Sequence, residues 1–272
     1  MDIENKLPIQ PFLKWAGGKR WLVKNYSNLI PRHFNRYIEP FLGSGAVFFY
    51  LQPNDALIGD TNKDLVETYQ ALKQDWKLLY VYLERHHARH NREYYYHVRS
   101  QIPSSNIEKA ARFIYLNRTC WNGLYRVNLN GTFNVPIGTK TKVIYDDDQF
   151  GKISDLLQKA QIIGCDFEVL IDQASAGDFL FVDPPYTVRH NNNSFIKYNE
   201  ILFSWADQER LFLSLVKAKE RGAFVFATNA FHRSLVELYY GNFRTFPVSR
   251  MSAISSNVKT RRKFQELVIL ST

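Results

Sequence analysis

Four consecutive residues, Asp183, Pro184, Pro185 and Tyr186, carry the clearest chemistry in the sequence. They follow the apolar run 179–182, and a short strand must end at two prolines because proline has no N–H to continue a ladder. The prolines keep the backbone extended, so a carboxylate, two carbonyl acceptors and an aromatic ring stand at a rigid turn. Such a turn can accept hydrogen bonds from the amino group of adenine or cytosine and stack on its ring. The alternative is an edge-strand turn in which Asp183 is satisfied locally.

Two further segments favour a nucleoside-binding site. Gly43, Ser44 and Gly45 predict a tight turn between a strand and an apolar helix, but Phe48 stands where a third glycine would complete a dinucleotide cradle. A second predicted strand ends in Asp60, near the ~20-residue offset at which carboxylates bind ribose hydroxyls. A nucleoside-bearing cofactor without a diphosphate fits both features, and S-adenosylmethionine (SAM) is such a molecule. The alternative for Asp60 is the N-cap of the following helix.

The first ordered segment combines cations with an aromatic ring, at Lys14, Trp15 and Lys19. The glycine pair 17–18 allows a ligand to approach the backbone closely, and an apolar helix follows it. The segment is not a phosphate-binding Walker A loop, because Arg20 follows Lys19 and the upstream glycine is absent. The segment therefore predicts a cluster near a binding site, or alternatively a helix N-terminus with surface lysines.

Alternating strand and helix patterns predict a doubly wound α/β sheet. Ligands of such sheets bind beyond the carboxyl ends of the strands, where we expect Asp60, Phe167 and Asp183 together with the Gly43 turn. The predicted strands begin at Tyr37 and continue with 56–60, 161–167, 179–182 and 223–229, and an antiparallel pair, 243–248 and 264–270, closes the sheet.

Residues 66–154 are predicted to be a mainly helical insert that divides a catalytic domain made of residues 1–65 and 155–272. The insert ends in a hairpin marked by an asparagine–glycine pair. Asparagine, arginine and aromatic residues interleaved on a hairpin suit base-edge reading and intercalation. The alternative is an ordinary polar hairpin with Trp121 and Tyr125 packed beneath it.

Two loops flank the tetrapeptide. The polar loop 187–203, which contains Asn191, Asn192 and Asn193, is predicted to order over a bound base. The loop 250–263 is rich in lysine and arginine and predicts phosphate contacts, with a solvated charge run as the alternative.

Composition favours a globular protein with an anionic partner. The 272 residues are 45% hydrophobic and carry a formal net charge of +9, for which nucleic acid is the leading partner and an ordinary basic surface the alternative.

Cys120 and Cys165 are too few for a disulfide framework or a zinc site. His86 and His90 share a helix face but lack a third ligand, so we expect no metal. Without a signal-peptide pattern or a long apolar run, we expect a cytoplasmic protein that does not enter a membrane.

Three motifs resemble those of DNA adenine methyltransferases of the Dam type, in the α group of amino-methyltransferases. They are FLKWAGGK at 12–19, EPFLGSG at 39–45 and DPPY at 183–186, with the recognition insert before the last. The similarity runs from about residue 11 to 270, and NGLYR at 122–126 makes it more specific. It implies a Rossmann-like SAM-dependent methyltransferase sheet and a bacterial or phage-encoded enzyme that acts as a monomer.

This resemblance implies methyl transfer from SAM to N6 of an adenine flipped out of double-stranded DNA, with GATC as the favoured site. Trp121 stands where family members place an intercalating aromatic residue. The implied catalytic residues are Asp183, Pro184, Pro185 and Tyr186. The implied SAM contacts are Trp15, Lys19, Phe41, Gly43, Asp60, Phe167 and Asp183. The implied DNA contacts are Lys14, Trp121, Asn122, Leu124, Arg126 and Pro136.

Two alternatives to this function remain open at this point. The same tetrapeptide can serve any exocyclic amine, so methylation of cytosine N4 is the nearest one. A DNA-binding module with an inactive cofactor pocket is the second, and the intact Lys19, Asp183 and Tyr186 count against it. Methylation of cytosine C5 would need an activated cysteine, and neither cysteine follows a proline as that chemistry requires.

Overall fold

The computed structural model describes residues 8–128, 130–187, 203–251 and 263–271. The strands are β1 (Tyr37–Glu39), β2 (Ala56–Asp60), β3 (Ala160–Gly164), β4 (Phe179–Val182), β5 (Phe224–Ala230), β6 (Arg244–Met251) and β7 (Lys263–Leu270). They form one mixed sheet in the order β3-β2-β1-β4-β5-β7-β6. The pairs β2–β3, β1–β4 and β4–β5 are parallel, whereas β7 pairs antiparallel with both β5 and β6. The predicted α/β sheet with a closing antiparallel pair is therefore confirmed.

Helices separate consecutive strands from β1 to β6, as the sequence pattern predicts, with four of them between β2 and β3. Within the described ranges the α-helices are α1 (Arg20–Asn25), α2 (Ala46–Leu51), α3 (Lys63–Arg89), α4 (Arg92–Ser100), α5 (Asn106–Thr119), α6 (Phe150–Leu157), α7 (Phe167–Ile171), α8 (Trp205–Glu220) and α9 (Arg233–Tyr239). Of the helices described, none is both long enough and apolar enough to cross a membrane.

The predicted end of the third strand was wrong. The third strand ends at Gly164 and does not reach Phe167, which instead begins α7. The cause is local, because the Asp166 side chain accepts a hydrogen bond from the Glu168 N–H over 3.0 Å and caps the helix. The two flanking loops, predicted as a lid and as a phosphate contact, fall mainly on 188–202 and 252–262 and so lie outside the described residues.

By its internal contacts the chain divides into two compact units. Unit 1 comprises Met1–Ser27 and Leu42–Gly164, and unit 2 comprises Asn28–Phe41 and Cys165–Thr272. The whole predicted insert, 66–154, belongs to unit 1 together with β2 and β3. The functional boundaries expected from the sequence remain a prediction.

A buried arginine organises unit 1. Arg118, in α5, is 1% exposed, and its guanidinium binds both carboxylate oxygens of Asp148 at 2.6 Å. The same group donates to the carbonyl oxygens of Phe12 and Val143, at 3.0 and 2.7 Å. Arg118 therefore joins the N-terminal segment, α5 and the segment that precedes α6.

The core of unit 2 surrounds β4 and β5. All residues of β4 are buried, which is expected of a parallel strand covered on both faces and explains its continuous apolar sequence. Phe181 packs against Phe226 on β5, with ring centroids 5.7 Å apart. This core fixes the point at which the tetrapeptide leaves the sheet.

Candidate active site

The Asp183 carboxylate is held by the neighbouring strand of unit 2. Val182 pairs with Ala227 in the parallel register, so Asp183 and Thr228, which follow them, lie side by side. Thr228 is completely buried and donates from its hydroxyl to Oδ1 of Asp183 over 2.7 Å. Because a carboxylate has several acceptor positions, this bond orients the group and leaves it chemically able to accept from an amine.

Tyr186 is held at its hydroxyl group. Its Oη donates to Oε2 of Glu266, on β7, over 2.5 Å. Burial raises the pKa of Tyr186 well above its usual value, and the negative charges of Asp183 and Glu266 raise it further. The phenol therefore stays neutral, and the half-buried ring is an uncharged surface suited to stacking.

In unit 1 the glycine turn and Asp60 meet. The Gly43 N–H donates to Oδ2 of Asp60 over 3.1 Å, and the Asn62 N–H donates to Oδ1 over 2.9 Å. Burial raises the pKa of Asp60, and these backbone donors oppose that shift. The N-cap of α3 is Asn62, whose side chain accepts from the Leu65 N–H. The alternative that Asp60 is the N-cap of this helix is therefore wrong. Its carboxylate instead accepts a hydrogen bond from the glycine turn.

Trp15 lies directly against this turn. A Cβ placed at Gly43 would lie 2.8 Å from Cδ1 of Trp15, and Gly43 has a φ of +48°, so only glycine fits. The indole also stacks on Tyr125, with centroids 5.6 Å apart. Lys19 is buried in the same N-terminal segment and donates from Nζ to the carbonyl oxygen of Gly17 over 2.9 Å. Unit 1 thus brings Trp15, Gly43 and Asp60 into contact, with Lys19 on the adjoining turn.

Unit 2 brings together the two phenylalanines that the resemblance assigns to the cofactor. Phe41 and Phe167 stack with centroids 5.5 Å apart and ring planes 25° apart. Phe203 packs against both rings. Phe167 and Phe203 are buried, whereas Phe41 is half-buried and keeps part of its surface for a ligand.

The predicted hairpin forms, held by isolated antiparallel bridges and not by continuous strands. Val127 pairs with Phe133 across the turn, and Gly131 has the positive φ, +73°, that the asparagine–glycine signal predicts. Beside it, the Trp121 N–H donates to the carbonyl oxygen of Pro136 over 2.9 Å.

The six residues that the resemblance assigns to DNA all lie in unit 1. A Cβ placed at Gly123 would lie 2.5 Å from Cδ of Lys14, so the lysine side chain lies against the second residue of the NGLYR motif. Arg126 donates from Nε to the Asn134 side chain over 2.8 Å. We call the set the hairpin surface, and it consists of the half-buried Lys14 and the exposed Trp121, Asn122, Leu124, Arg126 and Pro136.

Sequence reasoning missed Asn117. This residue is 1% exposed, and its side chain accepts from the Lys14 N–H over 2.9 Å. It also donates to the carbonyl oxygens of Lys14 and Gly123, at 2.8 and 3.2 Å. Asn117 therefore joins the N-terminal segment to the hairpin surface. The available signal was a short polar side chain on the buried face of an amphipathic helix, since such a group needs partners.

Each histidine of the predicted pair has a tyrosine as its hydrogen-bond partner. Hydrogen bonds of 2.9 Å join Nδ1 of His86 with the hydroxyl of Tyr94, and Nδ1 of His90 with the hydroxyl of Tyr115. In the part of the chain that the structure describes, no group of three histidine, cysteine or acidic residues could hold a metal ion.

Burial raises the pKa of the Cys120 thiol to about 11, which keeps it protonated and unsuited to nucleophilic attack.

Comparisons with known proteins agree on one family. Residues 15–254 match the family model described as D12 class N6 adenine-specific DNA methyltransferase. The type II methyltransferase M1.LlaDCHI of Lactococcus lactis subsp. cremoris is 34% identical, over 98% of this chain and 96% of its own. The type II methyltransferase M.MjaIII of Methanocaldococcus jannaschii is 33% identical, over 97% and 100%. The DNA adenine methylase of Haemophilus influenzae is 31% identical, over 99% and 96%.

Proposed function

The chain belongs to the D12 class of N6 adenine-specific DNA methyltransferases, and we propose that it methylates GATC sites in duplex DNA, as a monomer, with SAM as the methyl donor. Residues 66–154 would carry target recognition, and residues 1–65 and 155–272 the transfer reaction. The observation that supports the proposal most is the orientation of Asp183, at the end of a buried strand, by the hydroxyl of Thr228.

The chemistry follows from the weakness of the nucleophile. The N6 lone pair of adenine is delocalised into the ring, so the amine attacks slowly unless its geometry changes. The Asp183 carboxylate and the Pro184 carbonyl accept hydrogen bonds from N6–H, which favours a more tetrahedral nitrogen with an available lone pair. Pro185 keeps this backbone rigid, so that positioning and charge stabilisation accelerate the reaction without a covalent enzyme intermediate.

The target base must leave the DNA duplex to reach the turn from Asp183 to Tyr186, which we call the corner. Flipping costs a few kcal/mol of pairing and stacking. Stacking on the Tyr186 ring offsets part of that cost, and so does insertion of an aromatic side chain into the vacated duplex, which we assign to the exposed Trp121.

The residues of the glycine turn fit a nucleoside-bearing cofactor. Both oxygens of Asp60 accept backbone N–H groups, and a carboxylate oxygen can accept a further bond from a ribose hydroxyl. Gly43 lets a ligand approach the backbone. SAM would supply a methyl group made electrophilic by its sulfonium sulfur. We assign its binding to Trp15, Lys19, Phe41, Gly43, Asp60, Phe167 and Asp183.

We expect Asp60→Ala to weaken SAM binding by about 10- to 100-fold, the scale of one lost charged hydrogen bond. Isothermal titration of the purified protein with SAM would measure the change. Asn62→Ala is the matched control, because it removes the cap of α3 but leaves the carboxylate in place. Equal affinity of Asp60→Ala and the wild type would remove Asp60 from the cofactor site.

The hairpin surface supports direct reading of bases. Arg126 uses one of its five N–H donors on Asn134. The others suit the two acceptors that guanine presents in the major groove. The net charge of +9 favours the DNA backbone as partner at the same time.

Arg126→Ala should lower discrimination between GATC and a site with one changed base pair by about 1–3 kcal/mol. Its effect on the non-specific affinity for DNA should be smaller, because the substitution removes only a single positive charge that could attract the DNA phosphates. Initial rates on matched and mismatched duplexes would give the ratio. Lys142→Ala, which removes an exposed charge of the same unit, should leave the ratio unchanged. An equal loss on every duplex would contradict a reading role for Arg126.

The proposed site can be tested in cells that lack DNA methylation. After expression of the chain, genomic DNA is digested to nucleosides and the modified positions are mapped. We expect N6-methyladenine confined to GATC. N6-methyladenine in another sequence would refute the site, N4-methylcytosine would refute the target atom, and no methylation would favour a DNA-binding module with an inactive pocket.

A further inference from the structure

We propose that Glu266, backed by Arg250, is a positioning residue for methyl transfer that acts by fixing the ring of Tyr186. This inference rests on the proposed function, since it concerns how the same corner is made rigid. It assigns a role in catalysis to the closing antiparallel strands β6 and β7, which contribute no residue to the predicted catalytic or SAM-binding set.

The strand register brings the residues to one face. Glu266 pairs with Ala230 on β5 and with Val248 on β6, and side chains of paired residues project on the same side of a sheet. Arg250 and Thr228, two residues along β6 and β5, project on that side as well. Thr228 orients Asp183, so the two functional side chains of the tetrapeptide are held from one face by adjacent strands.

Each oxygen of Glu266 has its own partner. Oε2 accepts from the Tyr186 hydroxyl over 2.5 Å, and Oε1 lies 2.5 Å from Nε of Arg250. The carboxylate is only 3% exposed, whereas the Arg250 side chain is 28% exposed. A buried carboxylate keeps its charge when a cation compensates it, and a charged acceptor makes the phenol hydrogen bond stronger than a neutral one would.

Stability alone does not explain this arrangement. Glu266 precedes the buried apolar residues Leu267, Val268 and Ile269, and an apolar residue in its place would fit the strand. Buried ion pairs are commonly no more stabilising than apolar residues of similar volume. An apolar residue at this position would lose the ion pair with Arg250 and the hydrogen bond from Tyr186, and the second of these reaches the proposed site. An anchored hydroxyl restricts movement of the whole ring about the Cα–Cβ bond, so the base meets a stacking surface that is already in place.

The inference predicts a coupled pair of substitutions. Tyr186→Phe and Glu266→Gln should each lower the single-turnover rate of methyl transfer on a GATC duplex by about tenfold, the scale of one charged hydrogen bond. The double variant should be no slower than Tyr186→Phe alone, because both changes remove the same contact. Glu220→Gln, which neutralises an exposed carboxylate, is the matched control and should keep the wild-type rate.

Two further readings separate positioning from simple loss of structure. SAM affinity should be unchanged in all variants, which shows that each is folded. The fluorescence of 2-aminopurine at the target adenine should rise less on binding Glu266→Gln or Tyr186→Phe than on binding the wild type, because a base that is held less firmly spends more time stacked in the duplex, where its fluorescence is quenched.

The inference is overturned if Glu266→Gln slows Tyr186→Phe by the same factor as it slows the wild type, since the glutamate would then act independently of the ring. It is also overturned if Glu266→Gln keeps the wild-type rate, or loses SAM binding along with its rate. Failure of the proposed function is distinguishable, because the wild type itself would then transfer no methyl group to adenine.

Discussion

Asp183→Ala is expected to lower the rate of methyl transfer by about a thousandfold, the upper range for loss of one preorganised polar group in an active site. The substitution removes the carboxylate to which we assign the hydrogen bond from N6–H, together with the acceptor of the Thr228 hydroxyl. Affinity for DNA should change little, because the acidic side chain does not neutralise phosphate. Single-turnover transfer of labelled methyl from SAM, at saturating DNA, would measure the rate directly.

The matched control for this experiment is Asp172→Ala. Asp172 is an exposed aspartate at the end of α7 in the same unit, so its removal changes the net charge equally without touching the corner. We expect the control to keep the wild-type rate. Retention of a tenth or more of the activity by Asp183→Ala would exclude the carboxylate from the transfer step.

Arg118→Ala is expected to destabilise the protein by about 3–5 kcal/mol, as breaking a buried ion pair generally does. The change leaves the Asp148 carboxylate buried without its cation, because that side chain is only 9% exposed. It also removes donors from the carbonyl oxygens of Phe12 and Val143. Urea unfolding followed by circular dichroism would give the free energy of unfolding.

Two further variants serve as comparisons for Arg118→Ala. Arg233→Ala breaks an exposed pair with Glu237, so it should lower the free energy of unfolding far less than Arg118→Ala does. Replacing both Arg118 and Asp148 by leucine should cost less than Arg118→Ala alone, because no unpaired charge is left in the interior. A loss below about 1 kcal/mol for Arg118→Ala would contradict the organising role assigned to this residue.

The sequence predicts most of the sheet, because its signals are local. The uninterrupted apolar run 179–182 indicates a buried parallel strand, and the proline pair marks its end. The asparagine–glycine pair likewise indicates the hairpin, whose Gly131 adopts a positive φ. The predicted third strand was too long, because the side chain of Asp166 alone is enough to begin a helix at Phe167.

The supports of the site could not be predicted in the same way. Glu266 is 80 positions from Tyr186 and Thr228 is 45 positions from Asp183, and the order of the strands brings them together. Periodicity shows which face of a strand is buried, but it does not show which distant polar group meets another. The usable signal was a polar side chain in an apolar strand, which predicts a partner without identifying it.

The central claim is that the corner from Asp183 to Tyr186 holds the N6 amino group of a flipped adenine for methylation. It is tested most directly with two duplexes that contain one GATC site, in one of which purine replaces the target adenine and removes only the amino group. With SAM and the purified chain, the account predicts N6-methyladenine in the first duplex and no product at the purine position in the second. A methyl group on the purine duplex at that position, or on cytosine N4 in either duplex, would contradict it.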